Sequence, residues 1–201
     1  MDLCDQKLKK IKDEVIACQK CSLFQGRKYP VIGEGNHQAK IMFIGEAPGR
    51  QEDASGRPFC GAAGKILDDI LTAIGLNRAD VYIANILKCR PPDNRNPLNG
   101  EIESCVPYLD RQIEAIAPKI ICPMGNFAAQ YLLKKYGLAD QISQNGKMPG
   151  ITQLKGRIFK TNNLFGEEIK IVPVYHPAVA TYNINKKPIL IKDYQIVANL
   201  L

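Results

Sequence analysis

The sequence of 201 residues has no tryptophan, only two histidines and no long apolar run. A membrane-spanning helix needs about 18–20 consecutive apolar residues, and no stretch of the chain reaches that length. The N-terminal stretch MDLCDQKLKKIKDE is too charged for a signal peptide. These absences predict a cytoplasmic protein without a membrane segment, and the chain is long enough to bury its own core.

Acidic residues are in the minority. Lysine and arginine number 27 against 20 aspartates and glutamates, which gives a formal net charge of +7. Basic surfaces bind polyanions because they release counterions from phosphates. A nucleic acid is therefore a candidate partner, although a basic protein with no such role would have the same charge.

Compact apolar segments alternate with segments of helical periodicity along most of the chain. Three compact apolar segments predict buried strands, at 40–47, 80–88 and 119–125. Helical patterns follow them at 65–75, 101–117 and 126–137. A first helix, a pair of strands and a closing helix complete the prediction, at 7–17, 156–162 with 168–177, and 187–201. The segment 137–157 is polar and glycine-rich without a clear period. This alternation predicts one α/β domain, residues 1–201, with a largely parallel sheet.

The stretch GEAPGRQEDASGRPFCGAAGK, residues 45–65, follows the first predicted strand. It is not a P-loop, because Ile66 stands where Ser or Thr is required and Phe59 stands where the first glycine should be. The dinucleotide-binding pattern G-x-G-x-x-G is missing as well. The small residues at 61–64 let backbone approach a flat ligand closely, which favours the wall of a pocket. Active groups of parallel sheets gather beyond the strand ends, and here those ends carry 45–49, 85–89 and His176.

The cysteines are seven, Cys4, Cys18, Cys21, Cys60, Cys89, Cys105 and Cys122. An odd number argues against a disulfide framework. Cys18 and Cys21 form a C-x2-C turn, and Cys89 and Cys105 flank one proline-rich loop. Four thiolates could therefore surround a metal centre, for which zinc and an iron–sulfur cluster fit equally well. The alternative is that Cys89 and Cys105 are ordinary buried thiols.

Several motifs in this order resemble the family 4 uracil-DNA glycosylases of the uracil-DNA glycosylase superfamily: GEAPGRQED, GRPFCGAAG, YIANILKCRPP, NRNP, HPA and the four cysteines. The resemblance implies a three-layer α/β/α sandwich around a short, mainly parallel central sheet. It implies a [4Fe–4S] cluster on Cys18, Cys21, Cys89 and Cys105. The implied activity is hydrolysis of the N-glycosidic bond of uracil in single- or double-stranded DNA, which leaves an abasic site. A monomer in the cytoplasm, associated with the nucleoid through DNA, is expected. The alternative is a non-catalytic nucleic-acid-binding module with a structural four-cysteine metal centre.

The resemblance assigns substrate binding to Gly45, Ala47, Phe59 and Asn85. Phe59 offers a face on which a flipped base could stack, or it is a core aromatic. Asn85 has one amide donor and one acceptor, which match O4 and N3–H of uracil but not cytosine, a mismatch that discriminates by about 10⁴-fold. Its alternative is a cap at the end of a strand.

Three residues are candidates for catalysis. His176 would donate a hydrogen bond to O2 of the departing uracil, whereas His37 is expected in an exposed loop. Ala47 stands where the best-known superfamily members have an aspartate, so Glu46 and Glu52, with Asp53 nearby, are the remaining candidates to activate water.

DNA contacts are expected from basic residues near the pocket, Lys88, Arg90, Arg95, Lys186 and Lys187. The residues that follow HPA are Val179, Ala180 and Thr181, where the family pattern has Leu-Leu-Arg. Tyr182 is therefore the candidate to enter the gap that a flipped base leaves.

Overall fold

The computed structural model describes residues 2–143, 147–163 and 166–201. The strands of the described residues form one sheet: β1 (Glu34–Gly35), β2 (Ile41–Gly45), β3 (Tyr82–Asn85), β4 (Ile120–Pro123), β5 (Phe159–Asn162) and β6 (Glu168–Ile171). Their order across the sheet is β1-β3-β2-β4-β6-β5. The four central strands are parallel, and β1 and β5 are antiparallel to their neighbours at the two edges.

Helices cover both faces of this sheet. They are α1 (Leu3–Ile16), α2 (Leu23–Gly26), α3 (Arg50–Ser55), α4 (Ala62–Ala73), α5 (Asn99–Ile116), α6 (Asn126–Lys135), α7 (Ala139–Ile142), α8 (Ile151–Leu154), α9 (Ala178–Tyr182) and α10 (Lys187–Ala198). Short 3-10 turns lie at Arg78–Asp80, Pro92–Asn94 and Ile184–Lys186.

The side chains of β2 alternate between two hydrophobic cores. Met42 and Ile44 pack with α1, α5 and α6, whereas Ile41 and Phe43 pack on the opposite face with α4 and α10. All residues of this strand are buried, as expected for a central parallel strand covered on both sides. The predicted three-layer α/β/α sandwich with a mainly parallel sheet is therefore confirmed.

The connections of β2 create the crevice in which ligands of such sheets bind. The chain places β3 on one side of β2 and β4 on the other, so the strand order reverses at the carboxyl end of β2. Gly45, the last residue of β2, lies opposite Asn85, the last residue of β3. The two predicted substrate residues are thus neighbours at the point where the strand order reverses, the topological switch point of the sheet.

Most predicted elements exist with shifted ends. The first helix begins earlier than predicted, at Leu3, because the Asp2 carboxylate accepts the Asp5 amide at 2.8 Å and caps it. The predicted strand 168–177 is too long: β6 ends at Ile171, and Pro173 has no N–H with which to continue the ladder. A single bridge from Val174 to Met124 extends the pairing.

Short elements escaped prediction. They include β1, α2, α9 and α3, which lies within residues 45–65, here called the glycine loop. The segment 137–157 contains α7 and α8, and its residues 144–146 lie outside the described part of the chain. Among the helices that the structure describes, none is both long and apolar enough to cross a membrane.

Candidate active site

A cavity of about 380 Å³ opens at the carboxyl ends of β2 and β3. It brings together six of the predicted site residues, Glu46, Ala47, Glu52, Phe59, Asn85 and His176. Gly49, Ala63, Asn94, Ala178 and Tyr182 complete the lining. A second cavity of about 270 Å³ beside Asp110 and Lys135 contains none of the predicted site residues. The residues predicted for substrate and catalysis therefore converge on the first cavity.

Gly45 makes this convergence possible without lining the cavity itself. A Cβ atom on Gly45 would lie 2.3 Å from Asn85 Oδ1 and 2.9 Å from Phe59 Cζ. A Cβ on Gly64, in the first turn of α4, would lie only 1.7 Å from the carbonyl oxygen of Phe59. The two glycines thus let a strand end and a helix close directly around Phe59.

Phe59 is buried and held in a left-handed backbone conformation, with φ at 49°. Such a conformation is costly for an aromatic residue and persists only where the surroundings enforce it. Its ring lies beside that of His176, with centroids 5.4 Å apart and an interplanar angle of 33°. The side chain is therefore both part of the core and part of the cavity wall.

Arg78 clamps the backbone at Phe59, a role that sequence reasoning missed. Its Nη1 donates to the Phe59 carbonyl at 2.9 Å and its Nη2 to the Pro58 carbonyl at 2.7 Å. The same guanidinium pairs with Asp68 at 2.9 Å. The segment around Arg78 had no pattern that could reveal these partners, because they come from the glycine loop and α4.

Asn85 is 2% exposed and closes the cavity floor. Its Oδ1 is buried and has no hydrogen-bond partner among the described residues. A buried acceptor without a partner costs about 1–3 kcal/mol. If Asn85 capped the end of the strand, this oxygen would accept a hydrogen bond from the backbone. Because it accepts none among the described residues, a ligand is the favoured partner.

His176 follows β6 at the rim of the same cavity. Its Nδ1 accepts the Ala178 amide at 3.1 Å, which leaves the ring proton of the neutral side chain on Nε2. Burial lowers the pKa of His176 to about 4. The side chain is therefore neutral at pH 7. His37 is exposed, as expected, and its Nδ1 lies 2.6 Å from Asp5 Oδ1, away from the cavity.

The three acidic candidates differ in their partners. Glu46 is half-buried at the cavity, and burial raises the pKa of its carboxyl group. Glu52 Oε1 accepts the Gly61 amide at 3.1 Å, which ties α3 to the start of α4. Asp53 Oδ1 accepts the Lys28 amide at 3.1 Å and does not line the cavity.

The four cysteines predicted to bind metal line one common cavity between α1, the end of β3 and α5. Arg27 Nη1 donates to Cys89 Sγ at 3.2 Å, and the Lys88 amide donates to Cys105 Sγ at 3.2 Å. Lys20, Arg27 and Lys88 are the charged residues of its lining. Among the described residues, no three metal-binding side chains converge on one point as a single ion would require.

The expectation that Lys88 contacts DNA is wrong. The side chain is 1% exposed, and its Nζ donates to the Asn85 carbonyl at 2.9 Å and to Gln112 Oε1 at 2.6 Å. Lys88 is the last residue of the predicted buried strand 80–88, and it is buried together with the apolar residues that precede it.

The remaining basic candidates have different environments. Arg95 pairs with Glu101 at 2.6 Å and Lys187 with Asp69 at 2.6 Å, whereas Arg90 Nε donates to Asn94 Oδ1 at 2.8 Å. Lys186 is exposed. Tyr182 is 90% exposed at the rim of the cavity.

Comparisons of the sequence with known proteins show the family to which the chain belongs. Residues 32–195 match the sequence model of the Uracil DNA glycosylase superfamily. The type-4 uracil-DNA glycosylase of Saccharolobus solfataricus is 48% identical over 192 residues, which cover 95% of this chain and 85% of the relative. The type-4 enzyme of Archaeoglobus fulgidus is 43% identical over 94% of this chain and 89% of its own. That of Thermotoga maritima is 38% identical over 86% and 82%.

The sequence pattern of this superfamily thus covers most of the chain. The chain belongs to the uracil-DNA glycosylase superfamily and, within it, to the type-4 uracil-DNA glycosylases.

Proposed function

We propose that the protein removes uracil from DNA by hydrolysing its N-glycosidic bond, and so begins base excision repair. The observation that carries this proposal is the orphaned Oδ1 of Asn85, which lies in a cavity shared with the Phe59 ring and a neutral histidine. A flat neutral base that carries an N–H donor fits such a site. The alternative of a non-catalytic nucleic-acid-binding module receives no support from the comparisons.

The three side chains have complementary tasks. Phe59 stacks on the flipped uracil, and Asn85 accepts from N3–H and donates to O4. The Nε2–H of His176 donates to O2, where negative charge develops as the glycosidic bond breaks. A histidine that is neutral in the free enzyme suits this task, because it stabilises the anion as a hydrogen-bond donor without transferring a proton.

Glu46 is our choice for the group that positions the attacking water. Its carboxylate lines the cavity, and no hydrogen bond or ion pair engages it among the described residues. Glu52 is less suited, because the Gly61 amide already occupies one of its oxygens. The ionised Glu46 would also stabilise the positive charge that develops on the sugar.

DNA would approach over the rim formed by α9 and the following 3-10 turn. Tyr182 is exposed beside the cavity and could enter the base stack, and Lys186 and Arg90 could contact phosphates. We further propose that residues 1–201 act as one domain and as a monomer on single- or double-stranded DNA, with the nucleoid as the site of action.

A [4Fe–4S] cluster is the metal centre that we propose for Cys18, Cys21, Cys89 and Cys105. The common cavity, the N–H···S hydrogen bonds to Cys89 and Cys105 and the basic lining suit an anionic iron–thiolate group. When bound, the cluster would cross-link α1, the end of β3 and α5. Iron and sulfide analysis together with an absorption band at about 400 nm would distinguish it from zinc.

The function is tested with two oligonucleotides that differ only in one uracil or cytosine. The protein should release free uracil and leave an alkali-labile site in the first strand only. If enzyme in excess leaves both single- and double-stranded uracil substrates intact, the proposed function is wrong.

A further inference from the structure

Lys88 is a buried cation, and no aspartate or glutamate of the described residues forms an ion pair with it. Its Nζ has two partners, the Asn85 carbonyl and Gln112 Oε1, and both are neutral oxygens. None of the ion pairs formed by the described residues includes Lys88. An ammonium buried in this way is unfavourable unless negative charge lies near it. The cysteines that line a cavity together with Lys88 are the candidate source of that charge.

The cysteine cavity can supply that charge. Lys88 lines it together with Cys18, Cys21, Cys89 and Cys105, and its amide donates to Cys105 Sγ at 3.2 Å. The residues around this cavity include Lys20 and Arg27 but no aspartate or glutamate. Thiolates bound to a metal are anionic, so the cavity has basic walls for an anionic centre.

The side-chain nitrogen of Lys88 lies at the end of β3, next to a residue of the proposed uracil site. Its Nζ donates to the carbonyl of Asn85, the residue whose amide closes the cavity floor, at 2.9 Å. Gln112 anchors the same ammonium from α5, because its Nε2 donates to the Ile32 carbonyl at 2.9 Å. Lys88 thus connects the backbone of Asn85, which would recognise uracil, with the cavity that the four cysteines line.

We propose that Lys88 is a positioning residue that couples the metal centre to uracil recognition. The negative charge of the centre stabilises the buried ammonium, and the ammonium in turn holds the end of β3 so that the Asn85 amide faces the base. The inference rests on the proposed function, both for the centre and for the role of Asn85. It assigns the centre an effect on specificity in addition to cross-linking the fold.

The first test measures retention of the centre and does not depend on activity. Lys88→Met keeps a long apolar stem but removes the ammonium, and Lys135→Met removes a lysine that pairs with Asp110 beside the other cavity. With a chelator present, Lys88→Met should lose iron about tenfold faster than the wild type, as variants of groups around metal ligands often do. Lys135→Met should lose it at the wild-type rate.

The second test measures coupling to Asn85. Lys88→Met should lower kcat/KM on a uracil oligonucleotide by about 10-fold or more. In an Asn85→Ala background the same change should have little further effect, because the group that Lys88 positions is already missing. Gln112→Leu, which removes one anchor of the ammonium, should give a smaller effect of the same kind.

Three results would overturn the inference. They are unchanged iron loss in Lys88→Met, unchanged kcat/KM, or an effect on activity as large with Ala at position 85 as with Asn. Circular dichroism confirms that each variant is folded before these comparisons. A wild type that binds iron but releases no uracil would refute the proposed function while leaving the iron-loss test intact, so the two failures are distinguishable.

Discussion

The rings of Phe59 and His176 lie side by side, with centroids 5.4 Å apart, although the two residues are far apart in the chain. One belongs to the glycine loop after β2, and the other follows β6 at the far side of the parallel strands. Because His176 Nδ1 accepts the Ala178 amide, the Nε2–H is the donor that remains for a ligand. The pair therefore combines a stacking face and a hydrogen-bond donor at one cavity wall.

His176→Ala should lower kcat by about 10²–10³, the usual effect of removing one donor to a developing anion. KM should change much less, since stacking and the Asn85 contacts remain. Steady-state release of uracil from an oligonucleotide measures both parameters. The matched control is His37→Ala, which removes the other histidine of the chain, lies outside the cavity and should retain the wild-type rate. Equal rates for His176→Ala and the wild type would remove His176 from the mechanism.

The protonation of His176 gives a prediction about pH. Burial lowers its pKa to about 4, so the ring should remain neutral when the pH falls from 7 to about 5. Nitrogen NMR of ¹⁵N-histidine-labelled protein can follow this directly, and the His37→Ala variant assigns the two rings. A His176 signal that shifts to the doubly protonated form near pH 6.5 would contradict the prediction.

The same pKa shift affects stability. The unfolded chain binds a proton at this histidine below its ordinary pKa of about 6.5, whereas the native protein does not until about pH 4. The contribution of the neutral His176 to the free energy of unfolding is thus fully present above pH 6.5 and is lost as the pH falls towards 4. Denaturant unfolding should show that His176→Gln flattens this part of the pH profile relative to the wild type.

The sequence predicted the central architecture well, because each parallel strand is a short apolar run followed by a helical period. It also brought Asn85 and His176 to one place, since the ends of parallel strands share one edge of the sheet, and the glycine-rich stretch after β2 added Phe59. It could not predict the burial of Lys88 or the clamp of Arg78, because both depend on partners far away in the chain, Gln112 and the Phe59 carbonyl. Lysine and arginine in a basic protein look like surface residues until their partners are known.

Glu46→Gln and Glu52→Gln should have different effects. If Glu46 positions water, its amide variant should lower kcat by about 10²–10⁴ with little change in the free energy of unfolding. Glu52→Gln should instead act on the loop, because its carboxylate binds the Gly61 amide, and should lower stability by about 1 kcal/mol. Single-turnover rates and denaturant unfolding of both variants separate the two roles. The reverse ranking of the two rates would transfer the catalytic assignment to Glu52.

Tyr182 should matter more for duplex than for single-stranded substrates. Its side chain is 90% exposed beside the cavity, so Tyr182→Ala should leave the fold intact. A flipped base leaves a gap only in a duplex, where an inserted ring offsets about a few kcal/mol of unstacking. The ratio of kcat/KM on double- and single-stranded uracil DNA should therefore fall in Tyr182→Ala and stay near the wild-type value in Tyr182→Phe. An unchanged ratio in Tyr182→Ala would exclude insertion of this ring.

Arg78 should influence uracil binding through Phe59. Lysine can replace its charge near Asp68 but has one nitrogen in place of the two that donate to the carbonyls of Pro58 and Phe59, so Arg78→Lys should release the strained backbone at Phe59. We expect inhibition by free uracil to weaken by about 10-fold, with a smaller loss of kcat. In a Phe59→Ala background the substitution should have almost no further effect on uracil inhibition, because no ring remains to be positioned. A purely structural Arg78 would lower the free energy of unfolding equally in both backgrounds and leave uracil inhibition unchanged, and that result would refute the positioning role.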